Sequence, residues 1–246
     1  MKILRALGGQ GTVGGGPVVQ LPPAVMEVLG GAQLHRPTTA QRVADILRER
    51  ILQGELGSGT QFAELQLSTA LGVSRNTLRE AFQILIGEHL LVHEPHRGVF
   101  VRRLDVRDVR DIYAFRRVVE CAALARPEGS RGLAEMRAAV AEGYDAAARE
   151  AWHEVGTADV RFHMGVTAVA GSERLDRAIR GLFAELRLAF SLVPDPPELH
   201  RPFLDLNAEI LDLAEQGRAE QASLLLRRYL DDAEGRIVAA VQDPIP

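Results

Sequence analysis

The chain has 246 residues, of which 46% are hydrophobic and 25% charged, and its formal net charge is −4. This length accommodates one large domain or two smaller ones, and the acidic balance argues against a protein that coats nucleic acid regardless of sequence. No apolar run approaches the ~18 residues of a membrane span, and the single cysteine, Cys121, cannot form an internal disulfide, so a cytoplasmic location without a membrane partner is expected.

Composition and charge change along the chain. Residues 1–37 are rich in Gly and Pro without a sustained period, which is typical of a flexible tail. Lys and Arg against Asp and Glu number 3 against 1 in residues 1–39, 8 against 7 in 40–103 and 18 against 25 in 104–246. The excess acid is C-terminal, so a nucleic-acid contact should be small and lie in the middle segment.

Three helices are predicted in the middle segment. From Thr39, apolar residues recur at helical spacing in TAQRVADILRERILQG, which predicts a helix ending near Gly54. The stretch ELGSGTQF is predicted to be a loop, and AELQLSTALG a short helix stopped by Gly72. Ser74 is suited to cap the next helix, from Arg75 to about Glu88.

A hairpin and then a helical region complete the chain. Two β-prone runs, 90–94 and 99–103, flank PHRG, whose Pro and Gly favour a turn. From Asp105 onward, breaks at RPEGS, REAWH, AGS, VPDPPE and EQGRAE leave about six helices. The predicted fold class is therefore mainly α: an N-terminal winged helix-turn-helix with a small β-hairpin wing, followed by an antiparallel all-α helical bundle.

The capped helix has two chemically different sides. In a winged helix-turn-helix the second helix enters the major groove. At 100° per residue, Leu78, Ala81 and Leu85 lie on the side that should pack against the first helix. An arc of about 140° elsewhere carries the polar residues Arg75, Asn76, Arg79, Glu80 and Gln83. Thr77 adds a hydroxyl near the positive helix end, where phosphate is favoured. On the helix alone, a solvated arginine face is an equally good interpretation.

The surrounding sequence favours DNA binding. Residues 47–101, LRERILQGELGSGTQFAELQLSTALGVSRNTLREAFQILIGEHLLVHEPHRGVFV, resemble the N-terminal domain of the GntR superfamily of bacterial transcription regulators. The resemblance implies that Arg75 and Arg79 contact operator phosphate and guanine. It also implies that the wing tip, residues 96–98, lies along the minor groove. Many relatives carry a basic residue where this chain has Leu65, so one DNA contact should be missing. The implied DNA-binding residues are Ser74, Arg75, Asn76, Thr77, Arg79, Gln83, His96, Arg97 and Gly98.

Residues 105–241 resemble the effector-binding FCD domain of the FadR subgroup, an antiparallel helical bundle. The resemblance runs through DVRDIYAFRRVVECAALA, ADVRFHMGVTAVAGSERL and LNAEILDLAEQGRAEQASLLLRRYL. In the family a divalent metal is held by an Asp and a His four residues apart, which share a helix face, and by two histidines on later helices. Asp159 and His163 match the first pair, whereas Asn207 and Tyr229 stand at the later histidine positions.

The altered ligand set leaves two interpretations. An Asn carbonyl is a weak ligand and a Tyr phenol coordinates only when deprotonated, which lowers the expected affinity for zinc, nickel or manganese. His200, seven residues before Asn207, could replace a lost ligand on a sufficiently long helix. Otherwise no cofactor is required, and Asp159, His163, Asn207 and Tyr229 form a polar pocket by hydrogen-bonding to each other or to a ligand. The second interpretation is favoured.

Arg116 also has two interpretations. Family members commonly use an Arg in the first bundle helix to pair with an effector carboxylate, and a guanidinium suits a carboxylate in two-point geometry. Alternatively, Arg116 forms an intrahelical ion pair with Glu120, four residues later. If Arg116 reaches a cavity, the effector should be an organic acid.

Together these patterns predict a transcription regulator, not an enzyme. Residues 38–103 would bind a palindromic double-stranded operator as part of a homodimer, and a small ligand in residues 104–246 would change the DNA affinity of this repressor. The competing hypothesis is a metal-dependent hydrolase with an accessory basic domain that uses Asp159 and His163 as ligands. Against this hypothesis, the sequence has no nucleophile elbow, no Gly-rich phosphate loop and no HExxH motif.

Overall fold

The computed structural model describes residues 37–193 and 196–242. The predicted tail, residues 1–37, lies outside the described residues except for its last position. Within the described part, nine helices and a two-stranded antiparallel sheet confirm the mainly α fold class. None of these helices is both long enough and apolar enough to span a bilayer. From Thr39 onward the chain forms one compact unit.

The first elements are three helices and a hairpin, in the predicted order. Apolar side chains of the first and third helices meet in a common core that includes Val43, Leu47, Leu78 and Leu85. The spacing of these residues follows the helical period, so each helix buries one face and exposes the other. The elements are α1 (Thr39–Leu52), α2 (Glu64–Leu71), α3 (Arg75–Gly87), β1 (Leu91–Glu94) and β2 (Gly98–Val101).

The hairpin is shorter than predicted and has a third partner. Its register pairs Leu91 with Val101 and Glu94 with Gly98, so the predicted ends at residues 90 and 103 lie outside the ladder. The stretch predicted as a plain loop also pairs with β2, because Phe62 N donates to Val99 O at 2.9 Å and Val101 N donates to Thr60 O at 2.8 Å. The stretch forms no helix or strand of its own, as predicted, and its pairing with β2 was not predicted because it depends on contacts that the local sequence does not encode.

Six helices follow, as predicted from the chain breaks. The first begins directly after the hairpin because Asp105 caps it: its carboxylate accepts from the backbone N–H groups of Arg107 and Asp108, and the Asp108 carboxylate accepts from Asp105 N. The helices are α4 (Val106–Ala125), α5 (Ser130–Ala148), α6 (Trp152–Ala168), α7 (Glu173–Phe190), α8 (Pro196–Glu215) and α9 (Ala219–Gln242).

Helix α6 is the centre of the bundle. It packs against α4, α5, α7 and α8, so most of its residues are buried. Two of these buried residues, Asp159 and His163, are ionisable. An ionisable group in a helical core needs partners that lower the cost of its burial, and the neighbouring helices supply them.

Candidate DNA-binding surface and buried polar centre

Helix α3 begins with the predicted serine cap. Ser74 has an extended backbone conformation, and its Oγ accepts a hydrogen bond from Thr77 N at 3.1 Å and lies 2.9 Å from the Thr77 hydroxyl. The preceding helix ends at Gly72, which is in the left-handed conformation. Cap and turn together fix the direction in which the first turn of α3 leaves α2.

The two sides of α3 differ in exposure as well as in chemistry. Leu78, Ala81, Phe82 and Leu85 are buried in the core. The polar residues on the outward arc are all exposed: Arg75, Asn76, Arg79, Glu80 and Gln83. The helical bundle does not cover this arc, so a duplex can reach it.

Arg79 has one ionic partner at the surface. Its Nε lies 3.0 Å from Glu64 Oε2, and its side chain remains 62% exposed. An exposed pair of this kind contributes at most about 1 kcal/mol, so Arg79 can leave Glu64 for a stronger acceptor on DNA. Leu65, the departure from the family pattern, is 59% exposed in α2.

The wing tip is exposed and held by its own contacts. His96 and Gly98 both have positive φ, and at Gly98 the value is 104°, a region that suits glycine. The guanidinium of Arg97 lies 5.3 Å from the centroid of the Phe100 ring and also pairs with Glu94. Gln61, which was not among the predicted site residues, donates from Nε2 to Arg97 O at 2.6 Å.

Inside the bundle, three of the four predicted pocket residues are hydrogen-bonded to one another, and the ring of the fourth, His163, packs against the Tyr229 ring with centroids 4.9 Å apart. Asp159 Oδ1 accepts from Asn207 Nδ2 at 2.9 Å and from the Tyr229 hydroxyl at 2.7 Å. Burial alone would raise the pKa of Asp159, but electrostatic interactions with His163 and His200 and these two hydrogen bonds lower it below its ordinary value. Asp159 is therefore held as a carboxylate.

The fourth residue, His163, bonds elsewhere. Its Nδ1 lies 2.6 Å from Glu120 Oε2, while Glu120 Oε1 accepts from Arg116 Nε at 2.6 Å. His163 therefore makes no hydrogen bond to the other three pocket residues, because α4 places a carboxylate beside it, and its Nε2 is left for a ligand. Burial raises the pKa of Glu120, but Arg116 and His163 outweigh burial and lower it. An ionised Glu120 only accepts, so His163 Nδ1 is the donor.

Arg116 adopts the intrahelical arrangement. Both members of the Arg116–Glu120 pair are at most 1% exposed. Three buried atoms around this centre have no hydrogen-bond partner among the described residues: Arg116 Nη2, His163 Nε2 and Asn207 Oδ1. Buried polar atoms without a hydrogen-bond partner are rare in protein cores. A hydrogen bond from a ligand or a water molecule to one of these atoms would therefore be especially favourable.

The adjoining cavity is small. Asp159, His200 and Asn207 contribute to its wall, and its volume is about 10 Å³, which is room for about one water molecule. His200 is itself buried, and burial lowers its pKa to about 4. An organic effector would therefore fit here only after neighbouring side chains move.

Comparisons with known proteins agree with this arrangement. Residues 39–101 match "Bacterial regulatory proteins, gntR family", and residues 111–232 match "FCD domain". A protein of Paenarthrobacter nicotinovorans, named as a probable D-xylose utilization operon transcriptional repressor, is 33% identical over 85% of this chain and 96% of its own length. This chain belongs to the gntR family of bacterial regulatory proteins.

Other relatives point the same way. A GntR transcriptional regulator structure from Rhodococcus sp. RHA1 is 42% identical, has a TM-score of 0.77, and is matched over 82% of this chain and 98% of that one. The HTH-type transcriptional repressor RspR of Escherichia coli is 27% identical over 68% of this chain and 76% of its own length. Joining a GntR segment to an FCD domain is consistent with the FadR subfamily. These families are transcription regulators rather than enzymes, and no finding supports the hydrolase hypothesis.

The FCD domain of this family member carries a donor set that does not suit a transition metal. Burial raises the pKa of Tyr229 well above 10, so its hydroxyl stays a neutral donor to Asp159. Asn207 offers only an uncharged carbonyl. His200 lies on α8 two turns before Asn207, as the replacement hypothesis requires, yet no three His, Cys, Asp or Glu side chains in residues 37–193 and 196–242 are grouped to hold a metal ion.

The GntR segment packs directly on the FCD domain. Gly54, just after α1, accepts at its carbonyl from His153 Nε2 at 2.8 Å, and Arg187 Nη2 donates to His153 O at 3.2 Å. A side chain at Gly54 would collide with both the Arg187 guanidinium and the His153 ring. Burial lowers the pKa of Arg187 to about 10, and its Nε has no partner within the described part of the chain. Arg187 was not predicted to have a role, although an arginine in the mostly apolar run LFAELRLAF is unusual.

Proposed function

We propose that this regulator is a repressor: residues 38–103 bind a palindromic operator, two copies act together, and residues 104–246 bind a small organic acid that changes DNA affinity. The observation that carries the proposal is the exposed cationic arc of α3, held rigidly by its buried apolar side. Repression is supported by the relatives that are named repressors. A regulator that binds operator DNA would act in the cytoplasm.

The DNA contacts would have two parts. The first turn of α3 presents backbone N–H groups and short polar side chains to phosphate, and the two guanidinium groups reach phosphate and base edges. The wing tip follows the minor groove, where Arg97 is the charged group. The proposed contact residues are Ser74, Arg75, Asn76, Thr77, Arg79, Gln83, His96, Arg97 and Gly98.

Replacing Arg79 with Ala should weaken specific binding by about 1–3 kcal/mol, the range for losing a good bidentate base contact. A gel-shift titration at fixed salt, with a duplex from upstream of the protein's own gene, measures the change. Arg177→Ala is the matched control, because Arg177 is an exposed arginine of α7 and its loss removes the same charge. Equal affinities for the two variants would remove Arg79 from the interface.

The effector proposal rests on buried cations with unused donors. Arg116 and Arg187 are at most 5% exposed, and each retains a nitrogen without a partner in the described residues. A carboxylate ligand would satisfy such donors. The cavity of about 10 Å³ must enlarge to admit it, so binding would favour a different arrangement of the bundle. Residues proposed to contact the effector are Arg116, Asp159, His163, Asn207 and Tyr229.

We expect this FCD domain to work without a metal. Purified protein dialysed against zinc should contain far less than one equivalent by elemental analysis, because no third His, Cys, Asp or Glu among the described residues is placed to hold a metal ion together with Asp159 and His163. The double variant Asn207→His/Tyr229→His restores the family ligand set and should take up about one equivalent. Stoichiometric zinc, nickel or manganese in the unaltered protein would contradict the expectation, as would a double variant that binds none.

A further inference from the structure

One face of α4 is apolar and exposed. The opposite face of this helix packs mainly on α9. At 100° per residue, Ala114, Phe115, Val118 and Ala122 share an arc of about 100° on the outside. Val118 is 71% exposed and Phe115 44% exposed. Large apolar side chains grouped in this way on a surface mark a contact site more often than isolated ones do.

A shallow groove lies beside the second half of this face. Its volume is about 430 Å³, and its floor is made by small and medium apolar side chains from α4, from the connection between α6 and α7 and from the first turn of α7. Arg126 and Glu128, which follow α4, line its end. The apolar lining residues are Val118, Val119, Ala122, Ala123, Ala170 and Leu175. The groove therefore offers a hole, and Phe115, on the same face and about 10 Å away along the helix axis, offers a knob.

The ends of the face carry opposite charges. Asp111 lies before Phe115, and Arg126 follows Ala122 directly after the last residue of α4. Both are exposed, and neither side chain has an ion-pair partner within residues 37–193 and 196–242. An apolar centre with charged residues at its edge is the usual composition of a protein–protein contact.

We infer that a second copy of this chain packs its α4 antiparallel on this face, about a two-fold axis that crosses the helix between Val118 and Val119. Such an axis places Phe115 of one copy opposite Ala122 and the groove of the other. It also places Asp111 opposite Arg126, because both lie about 11 Å from the axis along the helix. Every contact then occurs twice. The inference rests on the proposed function, in which two copies bind one operator.

Self-complementarity favours a second copy over an unrelated partner. Phe115, Ala122 and Asp111 lie on α4 and Arg126 follows its last residue, and they pair at matching distances on either side of one point of the helix. A different protein would need its own matching set, whereas a two-fold axis needs none. Pairing of like charges is also avoided, because the same operation brings an acid to a base at each end.

Val118→Glu tests the surface. Sedimentation equilibrium of the full chain should show a dimer for the unaltered protein and a dimer dissociation constant at least about 100-fold higher for the variant, since a carboxylate would be buried next to the axis twice. Leu224→Glu is the matched control: Leu224 is 60% exposed on α9, outside this face, and its replacement should leave the dimer unchanged. Far-UV circular dichroism checks that both variants are folded.

A charge exchange tests the antiparallel register without placing a charge in the apolar centre. Asp111→Arg and Arg126→Asp should each weaken the dimer, and the double exchange should restore most of the loss. A Val118→Glu protein that stays dimeric, or a double exchange no tighter than the single ones, would overturn the inference. Specific operator binding by a monomeric chain would overturn it too while leaving the DNA-binding function intact; absence of specific binding would instead count against the proposed function.

Discussion

Replacing Glu120 with Gln is expected to lower the free energy of unfolding by about 3–5 kcal/mol, the cost of breaking a buried ion pair by removing one partner. Glu120 is 0% exposed and accepts from both Arg116 and His163. A glutamine can still accept from one of them, but its amide N–H groups would face another donor. Arg116 would then keep its charge in the core without an anion beside it.

The bundle offers a matched control for this change. Arg131 and Glu135 have the same spacing on α5, but their side chains are 58% and 43% exposed and their closest atoms are 3.5 Å apart. Glu135→Gln should cost less than about 1 kcal/mol, because a solvated pair gains little. Urea unfolding of the three proteins gives the comparison. Similar losses for the two variants would show that the buried pair contributes no more than a surface pair.

The contrast between these two pairs shows what can be predicted from sequence spacing and what cannot. The spacing of Arg116 and Glu120 predicts that they can meet, and they do. Nothing in that spacing distinguishes the buried pair from the surface pair, since burial depends on which helices cover α4. The contact between Glu120 and His163 joins α4 to α6, so it follows from bundle packing that one sequence does not encode locally.

Local signals explain why the DNA-binding segment was easier to predict. The Ser74 cap, the helix stop at Gly72 and the alternation of exposed and buried residues on α3 all act within a few residues. Pairing of residues 59–62 with β2 was missed because it joins distant stretches of chain. Arg187 was missed for the same reason: its partner His153 lies on another helix of the bundle, and Gly54 lies in the DNA-binding segment.

The contacts of Arg187, which were not predicted, lie between the polar centre of the bundle and the DNA-binding segment. Asp159 and Arg187 interact electrostatically, Arg187 donates to His153 O, and the His153 ring donates to the carbonyl that follows α1. A ligand that changes the charge balance around Asp159 would therefore act on groups that touch the DNA-binding segment. Such coupling needs two arrangements with different ligand affinity, commonly separated by about 1–3 kcal/mol.

Acid should destabilise the regulator through His200. Burial lowers the pKa of His200 to about 4, against 6.5 when unperturbed. Between these values the unfolded chain binds a proton that the folded chain does not, so stability is retained above pH 6.5 and lost as the pH falls toward 4. The loss from this one group is about 3 kcal/mol. Asp159 favours the charged ring, whereas Arg187 and His153 oppose it.

Comparing two histidine variants separates the contribution of His200 to the pH dependence of stability from that of carboxylates, which titrate in the same pH range. His200→Gln cannot take up the proton, so its stability should fall by about 3 kcal/mol less than that of the unaltered protein between pH 6.5 and 4. His93→Gln removes an exposed histidine of β1 and should keep the original pH dependence. Urea unfolding at a series of pH values measures all three. If the free energy of unfolding of His200→Gln and of the unaltered protein changed equally with pH, His200 would be protonated in the folded state as readily as in the unfolded chain. Asp159 would then stabilise the charged ring enough to offset burial.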